Sequence, residues 1–282
     1  LAVVPARSSG QTDGGAGYDF VSAAGVGDGI TGRVVVEEFL PVEEFLSLSS
    51  VSAESRLESG RSSALAVLPD PGDLVLTLPG TAGGLAGIPG LPDYPAAARA
   101  DHPTAPRDEV SLVPDADLGA LQLLAEAEEA SAHGRAFVTD LVDTVGLLPG
   151  FSVGSIRSDA TSKRLDPLTY EAKATTTTND IRLAGGLLRI GQLTTSVTAR
   201  VEDGQVRASK DETRISGATL AGQAVGIDEN GFTAPNGSQA LQPVVDQLAG
   251  PLADSGYSVT VTPGQVSEGQ GTATAESGTL LI

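Results

Sequence analysis

Thr195-Ser196-Val197-Thr198-Ala199-Arg200-Val201-Glu202-Asp203-Gly204-Gln205-Val206-Arg207-Ala208 decides the fold class. Thr195, Val197, Ala199 and Val201 alternate with polar residues, the period-two signature of a half-buried strand. Asp203-Gly204 supplies a two-residue turn, after which Val206 and Ala208 resume the alternation, so a β-hairpin is expected.

Working outward, Leu183-Ala184-Gly185-Gly186-Leu187-Leu188-Arg189-Ile190-Gly191 and Leu220-Ala221-Gly222-Gln223-Ala224-Val225-Gly226-Ile227-Asp228 read as two copies of one unit. Copies of this kind predict a repeated hairpin in one sheet. Leu241, Val244, Val245, Leu248 and Leu252 then form a helical stripe, with Pro243 in the first turn, Pro251 as a kink and Gly256 as the stop. A short amphipathic helix near 239–255, covering a sheet, is the expectation. Tyr257-Ser258-Val259-Thr260-Val261 returns to alternation, Pro263-Gly264 turns the chain, and Leu280-Leu281-Ile282 reads as a strand.

Upstream, Tyr18 to Val67 is rich in Gly, Ser and Val, and Arg33-Val34-Val35-Val36 reads as a strand. The repeated Glu-Glu-Phe-Leu of Glu37 to Leu40 and Glu43 to Leu46 flanks Pro41, which suits a bend at a sheet edge. From Pro69 to Pro114 prolines and glycines exclude long regular elements and predict an extended strap, entered by a short strand at Leu74-Val75-Leu76-Thr77-Leu78. Over Ala116 to Ala132 two patterns compete. Leu118, Leu121, Leu124 and Ala125 suit a helix face, while Leu121, Leu123, Ala125 and Ala127 alternate; local propensity favours helix. The fold class expected is a β-rich α+β protein with curved, mostly antiparallel sheets. Two lobes are expected: 1–149, with the strap at 69–114, and 150–282, whose sheet carries the helix; a single continuous sheet is the alternative.

Composition bounds the function. The 282 residues contain no Cys, no Met and no Trp, with aromatics at 4% and hydrophobic residues at 40%. Such a chain folds around Val, Leu, Ile and Ala. A thiol nucleophile and a thiolate metal site are excluded. The net charge of −19 repels phosphate backbones and anionic headgroups, so no nucleic acid is expected as a partner. No run of 18 apolar residues is present to span a membrane as a helix. Without Met, residue 1 is not an ordinary translation start; a cleaved signal peptide or an expression boundary accounts for this.

The chemistry-bearing motifs are thin. Gly150-Phe151-Ser152-Val153-Gly154 fits G-x-S-x-G, but Pro149 stands where the buried strand should end, no helix start follows, and His102 and His133 both lie upstream of Ser152. A plain glycine turn is the better reading. Gly27-Asp28-Gly29-Ile30-Thr31-Gly32 fits G-x-G-x-x-G but precedes a strand-like segment instead of a helix. Gly14-Gly15-Ala16-Gly17-Tyr18-Asp19-Phe20-Val21-Ser22 matches one calcium-binding nonapeptide, and Asp28 and Ile30 recur nine positions later, which makes Asp19 and Asp28 the calcium candidates. A single copy supports weak binding at most. Glu37-Glu38 and Glu43-Glu44 are adjacent pairs whose members face opposite sides of a strand, unlike the flanking carboxylates of glycoside hydrolysis. His102 and His133 are isolated, and Asn236-Gly237-Ser238 suits a helix entry.

Leu91-Pro92-Asp93-Tyr94-Pro95, then Asp101-His102-Pro103-Thr104-Ala105-Pro106, followed by Ser/Thr/Ala-rich strands and the unit beginning at Leu183, resemble a group of predicted secreted actinobacterial proteins of unassigned function, some described as choice-of-anchor proteins. The likeness touches roughly residues 65 to 282. It implies an upstream signal peptide, an extracellular or cell-surface location and, in some members, a downstream membrane anchor; it supplies no catalytic residues. The expected function is therefore that of an exported cell-envelope protein without catalytic activity. A hydrophobic or lipid-like ligand is expected between sheet and helix, beside Gly185, Gly186, Gly222, Leu241, Val245 and Leu248. The rival expectation is a structural or adhesive surface protein that self-associates through strand edges.

Overall fold

The computed structural model describes residues 2–9, 20–29, 31–34, 46–49, 51–68, 96–112, 120–142, 150–202, 205–210, 213–238, 240–254, 257–269 and 272–282. In chain order the first strands are β1 (Ala2–Ser9), β2 (Phe20–Asp28), β3 (Thr31–Val34), β4 (Leu46–Ser49), β5 (Ser52–Glu58), β6 (Arg61–Leu68), β7 (Ala96–His102) and β8 (Arg107–Leu112). Longer ones follow in β9 (Leu121–Glu128), β10 (Ser131–Val142), β11 (Ser152–Asp166), β12 (Thr169–Leu183), β13 (Leu188–Glu202) and β14 (Gln205–Lys210). Short strands come next: β15 (Arg214–Ser216), β16 (Thr219–Leu220), β17 (Gln223–Ala224), β18 (Gly226–Asp228) and β19 (Gly231–Thr233). Helix α1 (Gln242–Asp254) precedes β20 (Thr260–Thr262), β21 (Gln265–Gly269), β22 (Thr272–Glu276) and β23 (Thr279–Leu281).

Two large antiparallel sheets dominate. One has seven strands in the order β21-β22-β1-β2-β5-β6-β7; the other has ten, β17-β16-β13-β12-β11-β10-β9-β8, with β14 and β15 also paired to β13. They stack face to face and nearly in step, β7 and β6 over β9 and β10, β5 over β10 and β11, β2 over β11 and β12, β1 over β13, and β22 over β13 and β14. The chain is thus β-rich α+β, with one α-helix among the described residues, near the C-terminus.

Small side chains fill the middle of this sandwich. Ala53, Ala66, Ala98 and Ala100 face Ala125, Ala127, Ala136 and Ala160, all with no measurable exposure. Where even alanine is too large, glycine stands: a Cβ built on Gly134 of β10 would lie 2.5 Å from the Glu54 carbonyl oxygen and 2.6 Å from that of Leu65, both backbone atoms of the opposite sheet. Polar bonds cross the same gap. Ser55 Oγ lies 2.9 Å from Ser162 Oγ, Ser162 Oγ donates to the Ser55 carbonyl at 3.3 Å, and Thr176 Oγ1 donates to the Asp28 carbonyl at 3.0 Å. Buried hydroxyls would be costly without these partners. Small inner faces therefore bring the layers closer than the roughly 10 Å usual for sheets spaced by large side chains.

A crease divides this thin part from a thicker end. Ladder pairing skips Asp140 and Gly154 between β10 and β11, Gly154 and Asp180 between β11 and β12, and Asp180 and Gly191 between β12 and β13. Asp140 and Asp180 are left-handed, at φ 55° and 52°, a conformation short polar side chains tolerate. Burial slips phase across the row: Ile156, Ser158 and Ala160 point inward on one side and Val153 on the other, as do Thr178 and then Ile181. Beyond the crease the inner face carries Leu183, Leu188, Ile190 and Leu220, which pack with Val245 and Leu252 of α1 and with Tyr257 and Val259. Gln242 fastens the helix to β19, accepting from Ala234 N–H at 2.9 Å and donating to the Phe232 carbonyl at 3.0 Å.

Both margins of the sandwich are latched. At one, the Asp108 carboxylate of β8 accepts from Arg99 N–H of β7 at 3.0 Å and from Glu109 N–H at 2.9 Å, while Asp101 and Ala105 exchange two 2.7 Å backbone bonds. At the other, Ala208 N–H of β14 donates to Glu268 of β21 at 2.8 Å, and Lys210 Nζ donates to the Gly264 carbonyl.

The expected hairpin is present in its two strands, β13 and β14, which pair antiparallel as far as Glu202 with Gln205; 203–204 lie outside the described residues. The repeated unit forms two hairpins in one sheet, β12–β13 and β16–β17, joined where Ala221 N–H donates to the Leu187 carbonyl at 2.7 Å. The helix spans Gln242–Asp254, within the expected 239–255, with Pro243 in its first turn. The reading left open over Ala116 to Ala132 is settled, and the strap is corrected. Residues 121–128 form a strand and not a helix, with Leu121, Leu123, Ala125 and Ala127 all inward, because pairing on both sides overrides local propensity. Regular strands β7 and β8 run within the strap, at 96–112. Strand β10 pairs with β11 across residue 149, and β1 pairs with β22. The edge bend expected over Glu37 to Glu44, the short strand expected at Leu74 to Leu78 and the helix stop expected at Gly256 lie outside the described residues.

If the layers are as close as this, Gly134→Ala must part backbone from backbone and should cost about 2–3 kcal/mol, as overpacking does. Gly27→Ala is the control, because its Cβ would meet nothing closer than 3.4 Å; it should be neutral or stabilise by about 0.5 kcal/mol. Urea-unfolding midpoints of the two variants, moving together instead of apart, would contradict the packing described.

Candidate functional site

The outward residues of the ten-stranded sheet form rows that cross the strands. Phe137, Arg157, Thr177 and Thr194 make one; Arg135, Asp159, Thr175 and Ser196 the next; His133, Thr161, Lys173 and Thr198 a third. Each row follows from the period of two along the strand, which sends every second side chain away from the core.

Asp159 is the centre of this face. Its carboxylate accepts from Arg157 Nε at 2.5 Å and Arg157 Nη2 at 3.2 Å, and from Arg135 Nε at 2.9 Å, and lies 3.4 Å from His133 Nε2. Burial pushes its carboxyl up, but hydrogen bonds from His133, Arg157 and Arg135 outweigh that and hold it well below the usual carboxylate range. The network continues outward: His133 Nδ1 lies 3.6 Å from Glu126, and Glu126 accepts from Arg107 at 2.7 Å. Nearer the crease, Gln192 donates to Asn179 at 3.0 Å and Asn179 donates to Ser155 at 3.0 Å, an amide-hydroxyl ladder across three strands.

Between these two networks lies an open groove of about 620 Å³, with Phe137, Arg157, Lys173, Thr175, Thr177 and Asn179 among its lining residues. A smaller groove of about 320 Å³ lies on the outer face of the other sheet, by Arg56, Glu54, Arg99 and Asp101. The arrangement of the larger groove offers hydrogen-bond donors and acceptors at fixed spacing.

The sequence candidates fall elsewhere. Gly185, Gly186 and Gly222 sit at exposed hairpin turns with φ of 67°, 93° and 81°, where an added Cβ meets nothing within 4 Å. Their glycine serves left-handed turns, and the space beside them is open solvent. Val245 and Leu248 face the core with Leu220, whereas Leu241 is 48% exposed, so the structure brings two of the six together under the helix. Asp28 ends β2; Asp19 lies outside the described residues. Among the described residues no group of three or more His, Cys, Asp or Glu is placed to hold a metal ion. Ser152 opens strand β11 and pairs with Val142 and Arg182, with no strand-to-helix elbow. Gly27 and Asp28 end a strand, and His102 lies at the β7–β8 corner. The sequence reading passed over Arg135, Asp159, Arg157 and Lys173. Their signal was present in the alternation His133-Arg135-Phe137, Arg157-Asp159-Thr161 and Lys173-Thr175-Thr177, read as strand pattern and not as a shared face.

Replacing the central carboxylate, Asp159→Ala, should lower stability by about 2 kcal/mol at pH 7, the scale of hydrogen bonds to charged groups. Because the folded-state carboxyl is depressed, its contribution is complete above the unfolded value of about 3.9 and is lost as pH falls below it. The gap between wild type and variant in urea titrations should be flat from pH 8 to 5 and close below about pH 4; a gap independent of pH down to 2 would contradict the network. No protein-family model, curated protein or solved structure matches this chain.

Proposed function

We propose that this chain is a non-catalytic, exported protein of a bacterial cell envelope that works through the outer faces of its sandwich. One observation carries the reading: the layers are closed against each other by Ala, Ser and Gly, with Gly134 against opposing backbone, while a broad groove opens on the outer face. A ligand held between the layers would need room that this packing takes up. A hydrophobic ligand at the helix would instead lie outside it, against Leu241 and Val244, which are 48% and 50% exposed. The small, hydroxyl-rich composition and the acidic charge suit an exported protein, and the likeness to secreted actinobacterial proteins supports the same location.

The rival reading, self-assembly through strand edges, meets the two latches. Edge carboxylates that cap outward N–H groups are a known defence against edge pairing. Purified wild type should sediment as one discrete species, with a native mass equal to that of the polypeptide. The double variant Asp108→Ala, Glu268→Ala should self-associate while keeping its β-rich circular dichroism. Filaments of the wild type would favour the assembly reading; a stoichiometric lipid in the native mass would favour the carrier reading. External protease applied to intact cells tests the location, and protection of the chain from it would overturn export.

A further inference from the structure

The groove on the ten-stranded sheet is cationic in a chain whose net charge is −19. Within the groove, Asp159 draws the Nε edges of Arg135 and Arg157 to one point, which fixes both guanidinium planes and leaves Arg157 Nη1 uncommitted. Two cations on one carboxylate leave an excess of one positive charge. Lys173 adds another, and its ammonium makes no ion pair among the described residues.

The spacing is regular. Arg157 pairs with Thr177 and Thr161 with Lys173, so the two cationic positions stand four residues apart, about 13 Å along the strands. The row between them holds Thr175 and Asp159, and Thr177 stands beside Arg157. The Thr175 hydroxyl is tied to Ser196 at 3.2 Å, while that of Thr177 has no partner among the described residues. Phe137, half-buried, sits beside Arg157 at the end of the same row. The groove therefore sets two cationic positions on either side of the Asp159–Thr175 row, with the Thr177 hydroxyl beside Arg157 and an aromatic face at one end of the open trough.

Resting on the proposal that the chain acts through its outer face, we infer that this groove binds a carboxylate-bearing polysaccharide, a chain of the uronic-acid type. Carboxylates match guanidinium and ammonium groups, sugar hydroxyls match threonine and asparagine, and a sugar's apolar face matches Phe137. The groove is open at the surface, which suits a polymer crossing it more than an enclosed small molecule. A continuous polyphosphate or an anionic membrane presents charge over a wider area than the groove, and would meet the acidic remainder of the molecule.

Calorimetric titration of the full chain with polygalacturonate, its methyl-esterified form and neutral dextran tests this. Binding is expected for the free acid, falling at least tenfold on esterification and weakening with salt. Lys173→Glu should reduce it at least tenfold and Thr177→Val several-fold, with both unfolding midpoints near wild type. Equal binding of acid and ester would overturn carboxylate recognition yet leave the outer-face reading standing. Binding of polyphosphate or phosphatidylglycerol vesicles without polygalacturonate would overturn the glycan assignment. Binding unchanged by Lys173→Glu would place the site elsewhere, and no binding to any of these polymers would overturn the inference without touching the location test.

Discussion

The distance between the two sheets is the constraint on which the rest depends. Gly134 sits against the backbone oxygens of Glu54 and Leu65, and Ser55 and Ser162 share a hydrogen bond across the gap. Alanine buries little apolar surface, so stability here cannot come from large side chains leaving water. It comes from dense contact over long strands and from the satisfied ladders of three central strands of 15 residues each. The same closeness leaves little room between the layers in this part of the sandwich, and for that reason the proposed function is placed on the outer faces.

The crease at Asp140, Gly154, Asp180 and Gly191 is what lets one sheet serve two packing regimes. It shifts the inward phase of each strand, so that Thr178 and Ile181 both point inward although they are three positions apart, which unbroken alternation would send to opposite faces. On one side the sheet meets its small-residue partner; on the other it meets α1 through Leu and Ile. Arg182 and Arg189 close on Asp180 at 2.6 and 2.9 Å, and the Arg182 guanidinium holds that carboxyl below its ordinary range. The crease is thus pinned from the solvent side, where the ion pairs contribute modestly.

Much of this was legible in the residues. The alternation in β13, the β13–β14 hairpin, the paired Leu-Ala-Gly turns and the helix stripe are local patterns, each with a period set by backbone geometry. The 121–128 strand was harder, since Leu and Ala favour helix locally and only pairing with β8 and β10 settles the matter. The candidate site was less legible still. Arg135, Arg157 and Lys173 lie on three strands, and their meeting at Asp159 and in the groove depends on register, which the sequence of any one strand does not fix. The glycines taken for space-makers illustrate the converse: a glycine in a sequence signals either room or a left-handed turn, and at Gly185, Gly186 and Gly222 it is the turn.

The spacing of the sheets can be measured directly because the chain has no cysteine of its own. In the double variant Ser55→Cys, Ser162→Cys, two thiols replace hydroxyls that stand 2.9 Å apart on opposite layers, within reach of a disulfide. Mild oxidation, followed by mass and thiol counting, should give near-complete intramolecular cross-linking with the β-rich circular dichroism unchanged. Thiols that stay free in the folded protein, or that pair only between molecules, would mean the layers stand apart and would contradict the account at its base.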